Sequence, residues 1–163
     1  MAVDVVTEVV IARPRVEVAE FVADPDNATA WCMLVKAVDW RRPRGATVAV
    51  GSRVGFVASF LGRRFAYTCE VVEHVQGERL RMRSTDAAFP METTYAWRDL
   101  EEGITAMRLR NRAEPAGAVT YVAPALERAI RYVDGRDMGR LKRMLEMQSR
   151  PRALTLPSRL RST

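Results

Sequence analysis

After about residue 121 the hydrophobic period of this chain changes from two residues to about 3.6, and that change restricts the fold more than any other sequence feature. Apolar and polar side chains alternate through most of residues 35–112, as they do in strands with one buried face. From residue 122 to residue 147 apolar side chains recur at helical spacing instead. The pattern predicts an α+β fold in which an antiparallel sheet is followed by one long helix.

Seven strands are predicted, and turn residues such as Gly62 and Gly77 join most of them as sequential neighbours. Between the first two strands, Pro14 opens a helix of about two turns, and Asp24-Pro25 caps and starts a second short helix that runs to about Trp31. The predicted strands cover residues 2–12, 35–40, 52–61, 64–74 and 79–86, with two more that begin near residues 91 and 105.

The formal charge of +6 and the pI near 10.0 suggest a polyanionic partner until the charges are located. Residues 1–147 hold 22 basic and 20 acidic side chains, whereas residues 148–163 contain four arginines, two prolines and no acid. We therefore expect a nearly balanced folded domain over 1–147 and a basic, disordered tail over 148–163.

Nucleic acid is not an expected partner, because the arginine-rich strands lack interleaved aromatic side chains that would stack on bases. Cross-strand ion pairs with neighbouring glutamates account better for these arginines. Weak contact of the tail with an anionic membrane stays open as an alternative, since four charges supply at most a few kcal/mol at about 1 kcal/mol each. The sequence does not indicate an oligomeric state.

The predicted compartment is the cytoplasm. Asp4 and Glu8 interrupt the amino-terminal apolar run, and the longest uncharged stretch, residues 115–126, is too short to span a membrane. Cys32 and Cys69 are not arranged as a C-x-x-C pair, so both are expected to be reduced thiols.

Four segments, with the element order, resemble bacterial members of the SRPBCC superfamily, the START-like polyketide cyclase/dehydrase and lipid-transport group. These segments are Ala-Asp-Pro-Asp-Asn at 23–27 with Trp31, residues 89–97, residues 109–117 and residues 141–146. The resemblance, over residues 3–147, implies a helix-grip fold in which a seven-stranded curved antiparallel sheet surrounds a long C-terminal helix, with two short helices between strands 1 and 2. It also implies a deep cavity between sheet and helix that holds a hydrophobic small molecule.

The predicted inward strand faces mix large apolar side chains with polar ones, which is typical of a ligand pocket. The alternative is that these polar groups only hydrogen-bond one another or the backbone near strand ends. The candidate ligand-binding residues are Phe56, Phe60, Tyr67, Met82, Met91, Thr93, Tyr95, Asn111 and Ile130.

Asp86 is the candidate catalytic residue, because alternation places it on the inward face, where desolvation would raise its pKa toward that of a general base. With Asp86 as the base, Tyr67 or Tyr95 would polarise a ligand carbonyl by a hydrogen bond. The alternative is that Asp86 only lies in a solvated turn before Pro90. His74, the single histidine, is predicted at a strand end on the face opposite Tyr67, which argues against a histidine-based triad or a metal site. No cofactor is expected, since the phosphate-binding glycine motifs are absent.

Three functions remain open from the sequence. The first is a carrier or sensor of a lipid-like or polyketide-like molecule, held between the sheet and the C-terminal helix. The second is a polyketide cyclase or dehydratase that uses acid/base residues in the same cavity. The third is an interaction module that is recruited through the basic tail.

Overall fold

The structure is a computed structural model that describes residues 2–42, 46–85, 90–115 and 117–148. Asp86 and residues 149–163, which include most of the predicted tail, lie outside the described residues. The strands are β1 (Val3–Ile11), β2 (Val35–Asp39), β3 (Arg53–Phe60), β4 (Arg63–Val75), β5 (Arg79–Ser84), β6 (Met91–Glu101) and β7 (Ile104–Ala113). The helices are α1 (Arg15–Ala23), α2 (Ala28–Trp31) and α3 (Ala123–Gln148), with 3-10 turns at Pro25–Asn27 and Gly117–Val122.

The described strands form one antiparallel sheet in the order β1-β7-β6-β5-β4-β3-β2. Strands β2 to β7 pair with their neighbours in sequence, and β1 joins the far side of β7. The curved sheet partly surrounds α3, which packs against β1. The predicted helix-grip fold is therefore confirmed, including the two short helices between β1 and β2.

The segment between α1 and α2 follows the predicted capping chemistry. The Asp24 side chain accepts a hydrogen bond from the backbone N–H of Asp26 at 3.0 Å, and Pro25 occupies the first position of the 3-10 turn. This turn leads into α2, whose last residue, Trp31, is buried. The cap thus fixes the place at which an aromatic ring enters the interior.

The core is closely packed along one part of the concave face of the sheet. Here the C-terminal half of α3 packs on the sheet and on α1, and the buried side chains include Val18, Val71, Trp97, Met107 and Leu141. In the N-terminal half of α3 the large apolar side chains Leu126 and Ile130 are only partly buried. The fold is therefore packed at one end of the helix and leaves room at the other.

The outward faces of β5 and β7 carry the predicted cross-strand ion pairs. Arg83 Nη2 lies 3.0 Å from Glu92 Oε2, and Arg79 Nε lies 2.7 Å from Glu73 Oε1. Such exposed pairs contribute about 0 to 1 kcal/mol each, so they are compatible with a solvated face and do not explain the stability of the fold.

The prediction for His74 is wrong. The pairing of β4 with β5 shifts between Val71 and Glu73, so that His74 lies directly opposite the buried Leu80. Cross-strand partners share a face of the sheet, and a bulge inserts one residue into the alternation. His74 is therefore on the concave side and half-buried, near the end of β4.

Candidate functional site

A cavity of about 530 Å³ lies between the concave face of the sheet, α2 and residues 126–137 of α3. All nine candidate ligand-binding residues lie on its wall. The wall is mainly aliphatic and aromatic, and its polar side chains are concentrated where β6 and β7 face α3. An apolar chamber with a few convergent polar groups is the common form of a small-molecule site.

Strands β3 and β4 form the aromatic side of the cavity. Phe56 and Tyr67 are cross-strand partners, and their rings stack with centroids 5.5 Å apart. Phe60 and Phe65 also line the cavity, yet they are 42% and 47% exposed. The cavity therefore opens to solvent near the tip of the β3–β4 hairpin.

Strands β5 and β6 contribute Met82 and Tyr95 to the wall. The Tyr95 ring contacts Trp31 edge-on, with centroids 6.2 Å apart. Burial raises the pKa values of Tyr95 and Tyr67 well above their usual range, so both hydroxyls stay protonated. No hydrogen bond between described residues uses either hydroxyl, which leaves both available to a ligand.

A hydrogen-bonded chain crosses from the sheet to the helix. Thr93 and Asn111 are partners in the β6–β7 register, and Thr93 Oγ1 donates to Asn111 Oδ1 at 2.6 Å. Asn111 Nδ2 in turn donates to both carboxylate oxygens of Asp134, at 3.0 and 2.9 Å. These contacts fix the amide orientation of Asn111 and hold the Asp134 carboxylate at the cavity wall.

Asp137 follows Asp134 by one helical turn and also lines the cavity. Its Oδ1 accepts a hydrogen bond from the backbone N–H of Met33 at 2.8 Å. Asp134 and Asp137 are only 6% and 8% exposed. Desolvation raises the pKa of each to about 6, although the hydrogen bonds from Asn111 and Met33 oppose the shift.

This carboxylate pair was not predicted from the sequence. Ile130, Asp134, Asp137 and Leu141 follow one another at spacings of four, three and four, which places them on one helical stripe. The sequence feature that could have indicated the pair is the presence of two acids on the helical stripe that was expected to face the core. The proposed base Asp86, by contrast, lies in a segment outside the described residues.

A second pocket, a groove of about 640 Å³, lies beside β2 and β3 and is lined by Arg41, Arg42 and Arg53. Its lining is mainly polar and charged, with Trp40 as the one large apolar side chain among the described residues. An apolar molecule gains more from burial in the mainly apolar cavity, which is also lined by the buried acids. Among the described residues, no group of three or more acidic, histidine or cysteine side chains is placed to hold a metal ion. Within the same residues, no helix is both long and apolar enough to cross a membrane.

The model of a family described as polyketide cyclase/dehydrase and lipid transport matches residues 2–146. Among solved structures, the Zhui aromatase/cyclase from Streptomyces sp. R1128 has a TM-score of 0.76 at 15% identity, covering 93% of this chain and 98% of that one. TTHA0849 from Thermus thermophilus has a TM-score of 0.74 at 17% identity, covering 90% and 99%. A START superfamily protein from Mycobacterium smegmatis has a TM-score of 0.64 at 14% identity, covering 89% and 95%. At these identities the structures share the fold alone. No curated protein matches the sequence significantly.

Proposed function

Because the chain belongs to the polyketide cyclase/dehydrase and lipid transport family, we propose that it binds a hydrophobic small molecule in this cavity, as a carrier or a sensor. The observation that carries the proposal is a cavity of about 530 Å³ with an apolar wall and one polar end. A ligand that buries about 250 Å² of apolar surface there gains about 6 kcal/mol from the hydrophobic effect, before the cost of association.

Each part of the wall has a distinct role in this proposal. Phe56, Tyr67 and Met82 contact the apolar body of the ligand. Thr93 and the side chains of its hydrogen-bonded chain orient the polar end of the ligand. Phe60 lies at the mouth. The remaining members of the proposed binding set are Met91, Tyr95, Asn111 and Ile130.

Native mass spectrometry of the purified protein tests binding directly, with fatty alcohols, sterols and polyketide mimics as probes. We expect a complex of one ligand per chain that survives transfer into the gas phase. Retention of none of these probes would contradict the proposal. If probes do bind, the largest probe that the protein retains sets an upper limit on the size of the natural ligand.

A cyclase or dehydratase is the second candidate, and the buried Asp134 carboxylate is the observation that favours it. A base with a pKa of about 6 can remove the proton from a carbon between two ketone carbonyls. The resulting enolate attacks a second carbonyl, a carbon–carbon bond forms, and the proton returns to the new alkoxide before water is lost. Tyr67 or Tyr95 would donate a hydrogen bond to the enolate oxygen.

Turnover of a poly-β-ketone mimic by the purified protein separates the enzyme from the carrier. If the chain is a cyclase, Asp134→Asn or Asp86→Asn should abolish turnover while affinity for the product is kept. Activity that survives both substitutions would exclude these carboxylates as the base. No turnover by the unsubstituted protein would leave the carrier as the better function.

A further inference from the structure

Among the described residues, the charged side chains that line the cavity are all acidic. Within the described residues, Asp134 and Asp137 line the wall, and no lysine, arginine or histidine does. The charge of Arg140 acts on Asp137, but the Arg140 side chain is exposed and lies outside the lining. A ligand that enters the polar end therefore meets acids without a facing cation.

The thiol of Cys32 and the two phenols of the cavity wall add no positive charge. Burial raises the pKa of Cys32, and the carboxylates of Asp137 and Asp134 raise it further, so this thiol stays neutral. Tyr67 and Tyr95 stay neutral for the same main reason. Among the wall groups with a shifted pKa, the two aspartates are thus the ones that change charge near neutral pH.

Both carboxylates retain unused acceptor capacity. A carboxylate has about four lone-pair positions. Asp134 accepts from one amide nitrogen, and Asp137 Oδ1 accepts from one backbone N–H. The unpartnered indole N–H of Trp31 is enclosed by protein atoms and does not meet the cavity, so it offers no donor to a ligand.

On the basis of the proposed function, we infer that the cavity selects apolar ligands whose polar group donates a hydrogen bond, such as an alcohol or a phenol, over ligands that end in a carboxylate. A hydroxyl donates to Asp134 or Asp137 and accepts from Tyr95. A carboxylate ligand would lose its hydration beside two acids and would gain no cation in return. An ether of the same shape fills the cavity but leaves the buried acceptors unpaired.

Three probes of one shape test this inference on the full chain: 2-naphthol, 2-methoxynaphthalene and 2-naphthoate. Calorimetric titration at pH 7.5 should give 2-naphthol an affinity at least tenfold higher than that of the ether, with 2-naphthoate the weakest. Asp134→Asn keeps an acceptor for Asn111 but removes a charge, so 2-naphthoate should bind this variant at least tenfold better than the unsubstituted protein. Glu127→Gln, which removes an acid paired with Arg131 on the same helix, is the matched control and should change none of the affinities.

The pH dependence of the unsubstituted protein gives an independent readout that needs no variant. Lowering the pH from 7.5 to 5.5 protonates the aspartates and should raise the affinity for 2-naphthoate severalfold, with little effect on the ether. If 2-naphthoate or the ether binds as tightly as 2-naphthol at pH 7.5, the inference is overturned while ligand binding in the cavity stands. If none of the three probes binds, the proposed function falls as well.

Discussion

Asn111 Nδ2 lies 3.0 and 2.9 Å from the two carboxylate oxygens of Asp134, and this contact joins β7 to the middle of α3. Both residues are buried, and both line the cavity. A buried carboxylate needs donors to offset its lost hydration, and Asn111 is the side chain that supplies them. The same contact therefore holds the helix and shapes the polar end of the cavity.

Asn111→Leu should destabilise the protein by about 1 to 3 kcal/mol, because Asp134 then stays buried without its donor. The pKa of Asp134 should rise further. Urea denaturation at pH 7.5 measures the loss. The double variant Asn111→Leu with Asp134→Leu removes both partners and should recover much of it. Equal costs in the single and double variants would show that the contact contributes little.

The stability of the protein should depend on pH in the range where the two buried acids titrate. Between their ordinary pKa near 4 and the raised value of about 6, the folded protein binds more protons than the unfolded chain. The free energy of unfolding therefore falls as the pH rises through this window. From pH 5 to pH 7.5 we expect a loss of about 1 to 2 kcal/mol, discounted for partial solvation.

Asp134→Asn should remove roughly half of that loss, since it removes one of the two titrating groups. Surface acids affect the free energy of unfolding in a different pH range. A hydrogen bond from Arg110 lowers the pKa of Asp4, so the stability that this pair adds disappears only as the pH falls below about 4. Urea midpoints at pH 5, 6 and 7.5 measure the slope. An identical slope in the variant would contradict the assignment of the effect to Asp134.

The alternation of apolar and polar residues in the strands was sufficient to predict the fold. The fold in turn indicated which strand residues face the cavity. Phe56 and Tyr67, on neighbouring strands, were assigned to one face because each follows the period of two, and they stack in the structure. The face of the sheet on which His74 lies was predicted wrongly, because the β4 pairing shifts just before it, between Val71 and Glu73. The bulge follows an apolar residue, so nothing in the local sequence marks the inserted residue. Asp134 was missed because an acid on an apolar helical stripe is meaningful only when its partner, 23 residues away, is known.

The two halves of α3 should respond differently to the loss of a leucine. Leu141 is fully buried in the packed end, so Leu141→Ala should cost about 3 kcal/mol through lost contacts and a new void. Leu126 already borders open space in the cavity, so Leu126→Ala should cost about 1 kcal/mol. Thermal or chemical denaturation of the two variants compares them on one helix. Similar costs would show that the N-terminal half is as tightly packed as the rest.

Filling the cavity should abolish ligand binding without unfolding the protein. Ala129 lines the cavity on α3, whereas Ala125, one turn earlier, is exposed. Ala129→Phe places a ring in the ligand space and should lower the affinity for 2-naphthol at least tenfold. Ala125→Phe adds the same ring to the solvent side and should leave it unchanged. Loss of affinity in both variants, or in neither, would place binding elsewhere.

Removal of residues 148–163 should leave the ligand affinity unchanged, because the cavity wall ends at Asp137 and the last buried side chain of α3 is Leu145. The shortened chain loses four arginines and no acid, so its formal charge falls from +6 to +2. Binding to vesicles that contain anionic lipid should weaken with it, since each arginine contributes about 1 kcal/mol near such a surface. Co-sedimentation with anionic and with neutral vesicles, at low and high salt, measures this effect. A shortened chain that still sediments with anionic vesicles would assign membrane contact to the folded domain, and a loss of 2-naphthol affinity would place the tail in the binding unit.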